Sequence, residues 1–259
     1  MPMRLSDHAD GAARVRRFAR RWYASLRYNL PFAWVYAVNV VLWVTLRRRP
    51  FETPEDFPGV AGLAAHDEAI RREFRRLRAR TQTPTFGDLD PGQSRLATDR
   101  WRALLLWFWG RPAPLNLGDC PETAAALSQI VGLRTAFFST LEPRTSLPWH
   151  MGPYAGVLRV HLGVEVPPGG ACGIRVGRER RTWANGELLV FDDTYPHTAW
   201  NRSDQERVVL FLDIERPMPH RWQRRLNRRV LRHLEHTERI AAAARRGDEL
   251  MGRQPGTPA

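Results

Sequence analysis

Two histidines in the C-terminal half of the chain lie at the ends of predicted β-strands. His150 directly follows Trp149 and precedes one strand, and His197 comes shortly after Phe191, where another strand ends. Two imidazoles at strand ends of a small barrel can bind a divalent transition metal and leave coordination positions open for substrate chemistry. Two histidines this far apart are a weak pattern, and the alternative is that each is an ordinary hydrogen-bonded residue.

Two of the predicted strands carry cationic or imidazole groups on one face and apolar residues on the other. In the strand from Val157 to Val166, Arg159 and His161 lie opposite a face of leucines and valines, and the strand from Arg207 to Ile214 places Arg207 in the same way. If these faces point into a barrel, they form an arginine-lined cavity for an anion. The alternative is that they meet solvent at the edge of a sheet.

The alternation of apolar and polar residues continues from Leu133 to Ile214 and is interrupted by turn residues. The predicted strands are Thr135 to Leu141, Val157 to Val166, Gly173 to Val176, Glu187 to Phe191, Thr198 to Asn201 and Arg207 to Ile214. Short strands at this spacing predict a mainly β fold, an antiparallel sandwich or barrel.

Helices are predicted on both sides of the β region. Apolar periodicity and end signals indicate helices at Asp67 to Arg80, at Pro121 to Val131 and at His220 to Arg246, whereas Thr81 to Thr98 has the composition of a loop. The last helix is rich in arginine, and the tail from Arg253 onward is expected to be disordered. The expected organisation is a membrane-associating segment (1–50), a helical and loop support region (51–132), a β core (133–219) and a basic helix with its tail (220–259).

The N-terminal segment combines basic and apolar residues. Val15, Phe18, Trp22 and Leu26 recur at spacings of three and four among arginines, which predicts a basic amphipathic helix suited to a membrane surface. Leu30 to Leu46 is almost wholly apolar and is near the lower limit of about 17 residues for a helix that spans a bilayer. It is predicted to be membrane-embedded or re-entrant, with an interfacial helix and a packed core helix as alternatives.

The net charge of the chain indicates which kind of partner it binds. The chain has 259 residues, a formal net charge of +13 and no lysine, which favours anionic partners such as lipid headgroups or nucleic acid. Because no aromatic stacking platform or DNA-reading motif accompanies the arginines, we predict an anionic membrane surface and no nucleic acid. Cys120 and Cys172 have neither the spacing of a metal site nor that of a disulfide framework, which indicates a reducing compartment.

Several segments resemble a known enzyme family. They are His150–Gly156 (HMGPYAG), Leu158–Gly163 (LRVHLG), Trp183–Glu187 (WANGE), Phe191–His197 (FDDTYPH) and Arg207–Asp213 (RVVLFLD). Together they resemble the aspartyl/asparaginyl β-hydroxylase family of Fe(II)- and 2-oxoglutarate-dependent dioxygenases, over about residues 137 to 217. The resemblance implies a double-stranded β-helix, a jelly-roll or cupin-like barrel, with flanking α-helices and an N-terminal apolar helix. Within the family, the chain looks most like the membrane-associated lipid A acyl-chain hydroxylases.

The resemblance also assigns roles to individual residues. It makes His150 and His197 the ligands of Fe(II), and it makes Arg207 the partner of the distal carboxylate of 2-oxoglutarate, with O2 as the other cosubstrate. A guanidinium suits this role because its planar fork fixes the orientation of a carboxylate. The remaining candidates for binding the cosubstrate are Ser139, His161 and, after these, Arg159.

One position departs from a common oxygenase pattern. Many related oxygenases carry an acid two residues after the first histidine, where this chain has Gly152. The β-hydroxylases of the family also have glycine there, whereas an acid is expected in the lipid-hydroxylase-like branch, so the substrate class stays open. Asp192 and Asp193 are candidates for orienting the histidines, and the alternative is that they are turn residues.

Three functions are in competition. The leading prediction is a dioxygenase that hydroxylates an unactivated C–H bond of a membrane-linked substrate, such as a lipid A-like acyl chain. The second is a β-hydroxylase of aspartyl, asparaginyl or other side chains in a peptide, and the third is a catalytically silent module that binds membrane surfaces. Ferrous iron, 2-oxoglutarate and unpaired cysteines belong to the cytoplasm, so the catalytic barrel is predicted to lie on the cytoplasmic side of the membrane.

Overall fold

A computed structural model describes residues 33–81, 83–89, 99–237, 240–242 and 245. The chain divides into two compact units, residues 1–45 and residues 46–259. In the first unit, the described part is helix α1 (Ala33–Thr45). The helices of the second unit are α2 (Pro58–Ala61), α3 (Asp67–Arg80), α4 (Phe86–Leu89), α5 (Pro114–Gly118), α6 (Pro121–Ser128) and α7 (Arg221–Glu235), with short 3-10 helices at Pro54–Asp56 and Gly62–His66.

The strands of the second unit form two antiparallel sheets. The strands are β1 (Phe51–Glu52), β2 (Trp101–Phe108), β3 (Arg111–Pro112), β4 (Leu133–Leu141), β5 (Thr145–Ser146), β6 (Val157–Glu165), β7 (Cys172–Val176), β8 (Glu179–Thr182), β9 (Leu188–Phe191), β10 (His197–Asn201) and β11 (Arg207–Glu215). The major sheet has the order β1-β9-β6-β11-β4-β2-β3, and the minor sheet has the order β5-β10-β7-β8. Their inner faces share one apolar cluster, to which Leu141 and Val209 contribute from the major sheet and Ile174 and Ala199 from the minor sheet. The predicted mainly β, jelly-roll architecture is confirmed.

Helices cover the outer face of the major sheet. The apolar face of β6 packs there against α3 in a buried cluster that includes Leu158, Val160, Leu162 and Val164 of the strand and Ile70, Phe74 and Leu77 of the helix. Successive side chains of a strand point to opposite faces. The other face of β6, with Arg159 and His161, therefore points into the space between the two sheets.

A buried carboxylate joins the two principal helices of this layer. Glu73 of α3 is almost fully buried and accepts hydrogen bonds from the backbone N–H of Glu122 (2.9 Å), the N–H of Thr123 (2.8 Å) and the Thr123 hydroxyl (2.6 Å). These N–H groups belong to the first turn of α6, where they have no acceptor within the helix. Glu73 thus caps α6 from another helix.

Most predicted elements of the second unit are confirmed. The six predicted strands are present with ends that differ by at most two residues, and α3 has the predicted bounds. The helix predicted at Pro121 to Val131 ends earlier, at Ser128, and the helix predicted at His220 to Arg246 runs from Arg221 to Glu235, with residues 240–242 and 245 also helical.

Three expectations need correction. Region 51–132, predicted to be helices and loops, also contributes β1, β2 and β3 to the major sheet. Strand β2 is an apolar run without alternation because both of its faces are buried, with Leu104 and Leu106 under the helices and Ala103 and Leu105 on the inner side. Strand β8 consists of four exposed polar residues, so no apolar pattern marks it. Helix α4 lies within the stretch predicted to be a loop.

The N-terminal expectations are tested only in part. The amphipathic helix predicted around Val15 to Leu26 lies outside the described residues. Most of the apolar run forms α1, whose side chains Tyr36, Val40 and Val44 are exposed. Among the helices that the structure describes, none combines the length and the apolar character needed to cross a bilayer.

Candidate active site

The two predicted metal ligands lie side by side at one end of β10. His150 and His197 form an antiparallel bridge, in which each backbone N–H donates to the carbonyl of the other residue at 3.0 and 2.8 Å. Their ring centroids are 4.0 Å apart and the ring planes are inclined by 53°. Residues that are far apart in sequence are thus brought together by the pairing of the segment before β6 with the start of β10.

Both imidazoles are held in one tautomer. The Nδ1 atom of His150 lies 2.8 Å from the carbonyl oxygen of Pro148, and the Nδ1 atom of His197 lies 2.9 Å from that of Tyr195. A carbonyl oxygen only accepts, so each Nδ1 carries the proton and each Nε2 keeps its lone pair. Burial lowers the pKa of His150, and burial, followed by the neighbouring His150, lowers the pKa of His197 to about 3. Two neutral imidazoles with free Nε2 lone pairs fit a divalent transition metal.

Arg207 is a buried cation without a counter-charge. It begins β11 with a relative exposure of 2%. Its Nε and Nη1 atoms have no hydrogen-bond partner, and no carboxylate of the described residues forms an ion pair with it. Burial lowers the pKa of Arg207 to about 10, and the ring of Trp183 lies 4.8 Å from its guanidinium carbon. A guanidinium buried in this way fits an anionic ligand, because an unpaired buried charge is costly.

Other unpaired donors lie in the same interior. Neither ring nitrogen of His161 has a hydrogen-bond partner, and the same is true of Trp183 Nε1. The ring centroids of His161 and Trp183 are 5.7 Å apart. The Ser139 hydroxyl accepts a hydrogen bond from Trp101 Nε1 at 2.9 Å and keeps its own proton to donate. A guanidinium, an imidazole, an indole and a hydroxyl of this interior can therefore each donate a hydrogen bond to an anion.

Sequence comparison identifies the family. A family model described as aspartyl/asparaginyl beta-hydroxylase matches residues 64–217, which is more than half of the chain. The chain belongs to the aspartyl/asparaginyl β-hydroxylase family. An ornithine lipid ester-linked acyl 2-hydroxylase from Rhizobium tropici is 40% identical over 189 residues, covering 72% of this chain and 67% of that protein. An aspartyl/asparaginyl beta-hydroxylase from Mus musculus is 35% identical over 208 residues, covering 77% of this chain but only 27% of its own length.

Similarity to solved structures is more distant. The cupin domain of an XRE family transcriptional regulator from Enterobacter cloacae is 18% identical, covers 46% of this chain and 99% of its own chain, and gives a TM-score of 0.32.

Arg159 differs from Arg207 in its surroundings, although both point into the barrel of this β-hydroxylase family member. The Nη2 atom of Arg159 lies 3.0 Å from Oδ2 of Asp193, and its Nε lies 3.1 Å from Oδ1 of Asp213. Its guanidinium also lies over the ring of Phe211 at 4.4 Å. Two carboxylates compensate its charge, so Arg207 has the stronger need for an added anion.

The two aspartates that precede His197 are parts of the buried structure. Asp192 is fully buried, accepts a hydrogen bond from the backbone N–H of Thr194 at 3.0 Å and forms an ion pair with Arg216 at 2.6 Å. The Nδ1 atoms of both histidines are engaged by backbone carbonyls. The aspartates therefore fix the conformation of the loop that carries His197, whereas backbone carbonyls orient the imidazole rings.

Gly152 has no room for a side chain. Its N–H donates to the carbonyl oxygen of Asp193 at 2.7 Å, and a β-carbon added to it would overlap the Asp193 carboxylate. The acid that many related oxygenases carry at this position is thus excluded here by an acid that comes from the other side of the site.

Trp183 was not predicted as a functional residue. In the sequence it is the first residue of the WANGE motif, and a tryptophan before a turn carries no signal for anion binding by itself. Its position is informative only together with Arg207 and His161, which come from two other strands.

Proposed function

We propose that the protein is an Fe(II)- and 2-oxoglutarate-dependent dioxygenase that hydroxylates the acyl chain of a membrane lipid. The observation that carries the proposal is the uncompensated, buried Arg207 in the same barrel interior as two neutral imidazoles. The two imidazole lone pairs suit a metal ion, and the unpaired cation suits a carboxylate. A dicarboxylate cosubstrate can therefore bind the metal at one end and Arg207 at the other.

Each residue has a defined task in this proposal. His150 and His197 hold Fe(II) through Nε2, while the bonds from Nδ1 to backbone carbonyls fix the ring orientations. Arg207 binds the distal carboxylate of 2-oxoglutarate, and the remaining donors around that carboxylate are Ser139, His161 and Trp183. When bound, Fe(II) with 2-oxoglutarate and O2 supplies the oxidation that places a hydroxyl on carbon, with succinate and carbon dioxide as coproducts.

The barrel also supplies a dry pocket for the reaction. The rings of Phe137 and Phe211 stack with centroids 4.2 Å apart on the inner face of the major sheet. They limit the access of water to the space beside His161, whose ring centroid lies 5.1 Å from that of Phe211. Exclusion of water strengthens the interactions of Arg207 and protects reactive species from side reactions.

A lipid substrate is supported by the relative from Rhizobium tropici, which is named for hydroxylation of the acyl chain of a lipid. Exposed apolar side chains on α1 and the exposed arginines of α7 suit the surface of an anionic membrane. Cys120 and Cys172 are both free thiols, which supports a cytoplasmic position of the barrel. A peptide side chain is the second candidate, because the mouse relative is named for aspartyl and asparaginyl residues.

Three measurements test the proposal, the first two of them on purified protein. Anaerobic titration calorimetry should show binding of Fe(II), and addition of 2-oxoglutarate and O2 should yield succinate by NMR. His150→Ala and His197→Ala should each abolish both, whereas the control His66→Ala, outside the barrel, should leave both intact. Mass spectrometry of membrane lipids with and without the protein should then find species with one added oxygen.

The outcomes separate the competing functions. Succinate formation with an added oxygen on a peptide and none on lipids would favour the peptide hydroxylase. Iron binding that survives His197→Ala would remove the metal assignment, and absence of both iron binding and succinate would favour a catalytically silent module.

A further inference from the structure

The outer face of the minor sheet carries a row of arginines and tryptophans. On β10, His197 and Ala199 point inward, so Trp200 points outward, and Arg175 of β7 is paired with Thr198 on the same outer side. Arg180 of β8 lies directly opposite Arg175. The side chains of Arg175, Arg180 and Arg202 are exposed.

The arginines lie over the tryptophans. The guanidinium of Arg175 is 5.6 Å from the ring centroid of Trp149, and those of Arg180 and Arg202 are 4.9 and 5.4 Å from that of Trp200. We call these five residues the arginine–tryptophan ladder. Gly173 of β7 allows the indole of Trp200 to pack directly on the strand, because a β-carbon at position 173 would overlap that indole.

The charge of the ladder is uncompensated. Within the described part of the chain, none of its three arginines forms an ion pair, whereas the arginines of α3 pair with Asp67, Glu68, Glu73, Glu165, Glu206 and Asp119. Glu179 is 3.4 Å from Arg181, and Glu187 accepts the backbone N–H of Ala184 at 2.8 Å but keeps its charge. The arginines of the ladder outnumber these two carboxylates. The ladder therefore presents a positive potential to solvent.

A cleft beside the ladder is large enough to hold a lipid headgroup. Its volume is about 470 Å³. Arg180, Arg181 and Arg202 line it together with Trp200, Thr182, the Gly170–Ala171 turn and one carboxylate, that of Glu187. Such a cleft can hold a phosphate headgroup between guanidinium groups, whose fork matches phosphate oxygens.

The ladder begins at the rim of the candidate active site. Trp149 directly precedes His150, and both Trp149 and Met151 are about half exposed, at 53% and 46%. At the other strand, Arg175 is paired with Thr198, which directly follows His197. A surface bound along the ladder therefore reaches the residues that flank both histidines.

We propose that the arginine–tryptophan ladder docks the protein on an anionic bilayer. Phospholipid phosphates lie on Arg175, Arg180 and Arg202, and Trp149 and Met151 enter the boundary between headgroups and acyl chains, where amphipathic rings are favoured. The docked orientation presents the opening beside His150 to the acyl chains. The acyl-chain substrate in this inference rests on the proposed function, whereas the docking itself requires neither iron nor turnover.

Vesicle binding of the full chain, without iron or 2-oxoglutarate, tests the docking. Vesicles of equimolar phosphatidylglycerol and phosphatidylcholine are compared with pure phosphatidylcholine by co-sedimentation and by hydrogen exchange of residues 172–182. We expect anionic vesicles to slow exchange in β7 and β8, and neutral vesicles to have no such effect. Because the assay is independent of catalysis, its failure leaves the hydroxylase proposal standing, and loss of succinate formation leaves the docking result standing.

Substitutions on the ladder and on α3 locate the effect. Arg175→Gln, Arg180→Gln and Arg202→Gln together should weaken binding on the order of a hundredfold, since each arginine near an anionic surface contributes about fivefold. Arg72→Gln, Arg75→Gln and Arg76→Gln on α3 remove the same charge elsewhere and should have a much smaller effect. If the ladder triple variant fails to fold, the single substitutions should each weaken binding about fivefold, and the corresponding lysine variants should retain it.

Three results would overturn the proposal. The first is loss of binding with Arg225→Gln, Arg228→Gln and Arg229→Gln on α7 but not with the ladder variant, which would make α7 the docking surface. The second is full protection of residues 172–182 by soluble glycerophosphoglycerol, which would indicate a headgroup site without bilayer docking. The third is absence of protection in β7 and β8 on anionic vesicles.

Discussion

The Nε atom of Arg48 lies 2.9 Å from Oδ2 of Asp192, although the two residues are 144 positions apart in the chain. The same guanidinium donates from Nη2 to the Thr194 hydroxyl at 2.7 Å and lies over the ring of Tyr195 at 4.6 Å. Arg48 thus binds three of the five residues that immediately precede His197. The loop that positions one candidate metal ligand is therefore held by a residue that follows α1 closely in sequence.

Arg48→Ala should lower both stability and metal affinity. Truncation leaves Asp192 with Arg216 as its remaining cationic partner, and loss of one member of a buried charge pair typically costs about 2–5 kcal/mol. Urea unfolding and Fe(II) titration measure the two effects. Arg47→Ala, which removes an exposed neighbouring arginine, is the control. Equal behaviour of the two variants would show that the loop does not depend on Arg48.

Arg207→Met should separate stability from cosubstrate binding. The variant removes an uncompensated buried cation, so the ligand-free protein should unfold at the same or a higher urea concentration, with a gain of up to about 4 kcal/mol. Its 2-oxoglutarate requirement should rise more than tenfold, since about 2 kcal/mol or more of charge pairing is lost. Arg159→Met removes a cation with two carboxylate partners and should destabilise instead. Destabilisation of both variants alike would contradict the distinction.

Gly152→Asp should destabilise the protein, because its β-carbon overlaps the Asp193 carboxylate. Overpacking and two adjacent carboxylates together should cost about 3 kcal/mol or more. The double variant Gly152→Asp, Asp193→Gly should recover most of the loss, since the space is then free for the new side chain. Gly62→Asp, where an added β-carbon meets open space, is the control. If the double variant is as unstable as the single one, the conflict between positions 152 and 193 is not the cause.

Stability of the metal-free protein should depend on pH through His197. Burial lowers its folded-state pKa to about 3, against 6.5 for the exposed group, so the unfolded chain binds more protons between these values. The contribution of His197 to the free energy of unfolding is thus at its maximum above about pH 6.5. It falls by about 1.4 kcal/mol for each pH unit below that value, down to about pH 3. The difference in unfolding free energy between the wild type and His197→Gln should follow this slope. Asp193, whose pKa burial raises to about 6, contributes with the opposite sign in both proteins.

The sequence predicted the elements whose two faces differ. Strand β6 was predicted because leucine and valine alternate with Arg159 and His161, and the structure places the two sets under the helices and inside the barrel. Strands β2 and β8 show no such alternation, because β2 is buried on both faces and β8 is exposed on both. Pattern reasoning needs a contrast between faces, and these two strands have none.

The site was predictable to the extent that its residues belong to recognisable motifs. His150, His197 and Arg207 could be proposed from sequence, and the structure places both histidines together and Arg207 in the barrel interior. The missing counter-charge of Arg207 could not be predicted, because it depends on where every carboxylate of the fold lies. Trp183 was missed for the same reason, since its role arises from neighbours that are distant in sequence.

The cap that Glu73 provides for α6 has a consequence for folding kinetics. Helix α6 has eight residues, too few to be stable in isolation, and its capping bonds join residues 50 positions apart. The cap forms only after the intervening chain, which includes β2, has closed into a loop. Formation of α6 therefore carries the entropy cost of a long-range contact and is as slow as that contact. In a refolding experiment we therefore expect the amides of α6 to gain protection from hydrogen exchange together with those of β2.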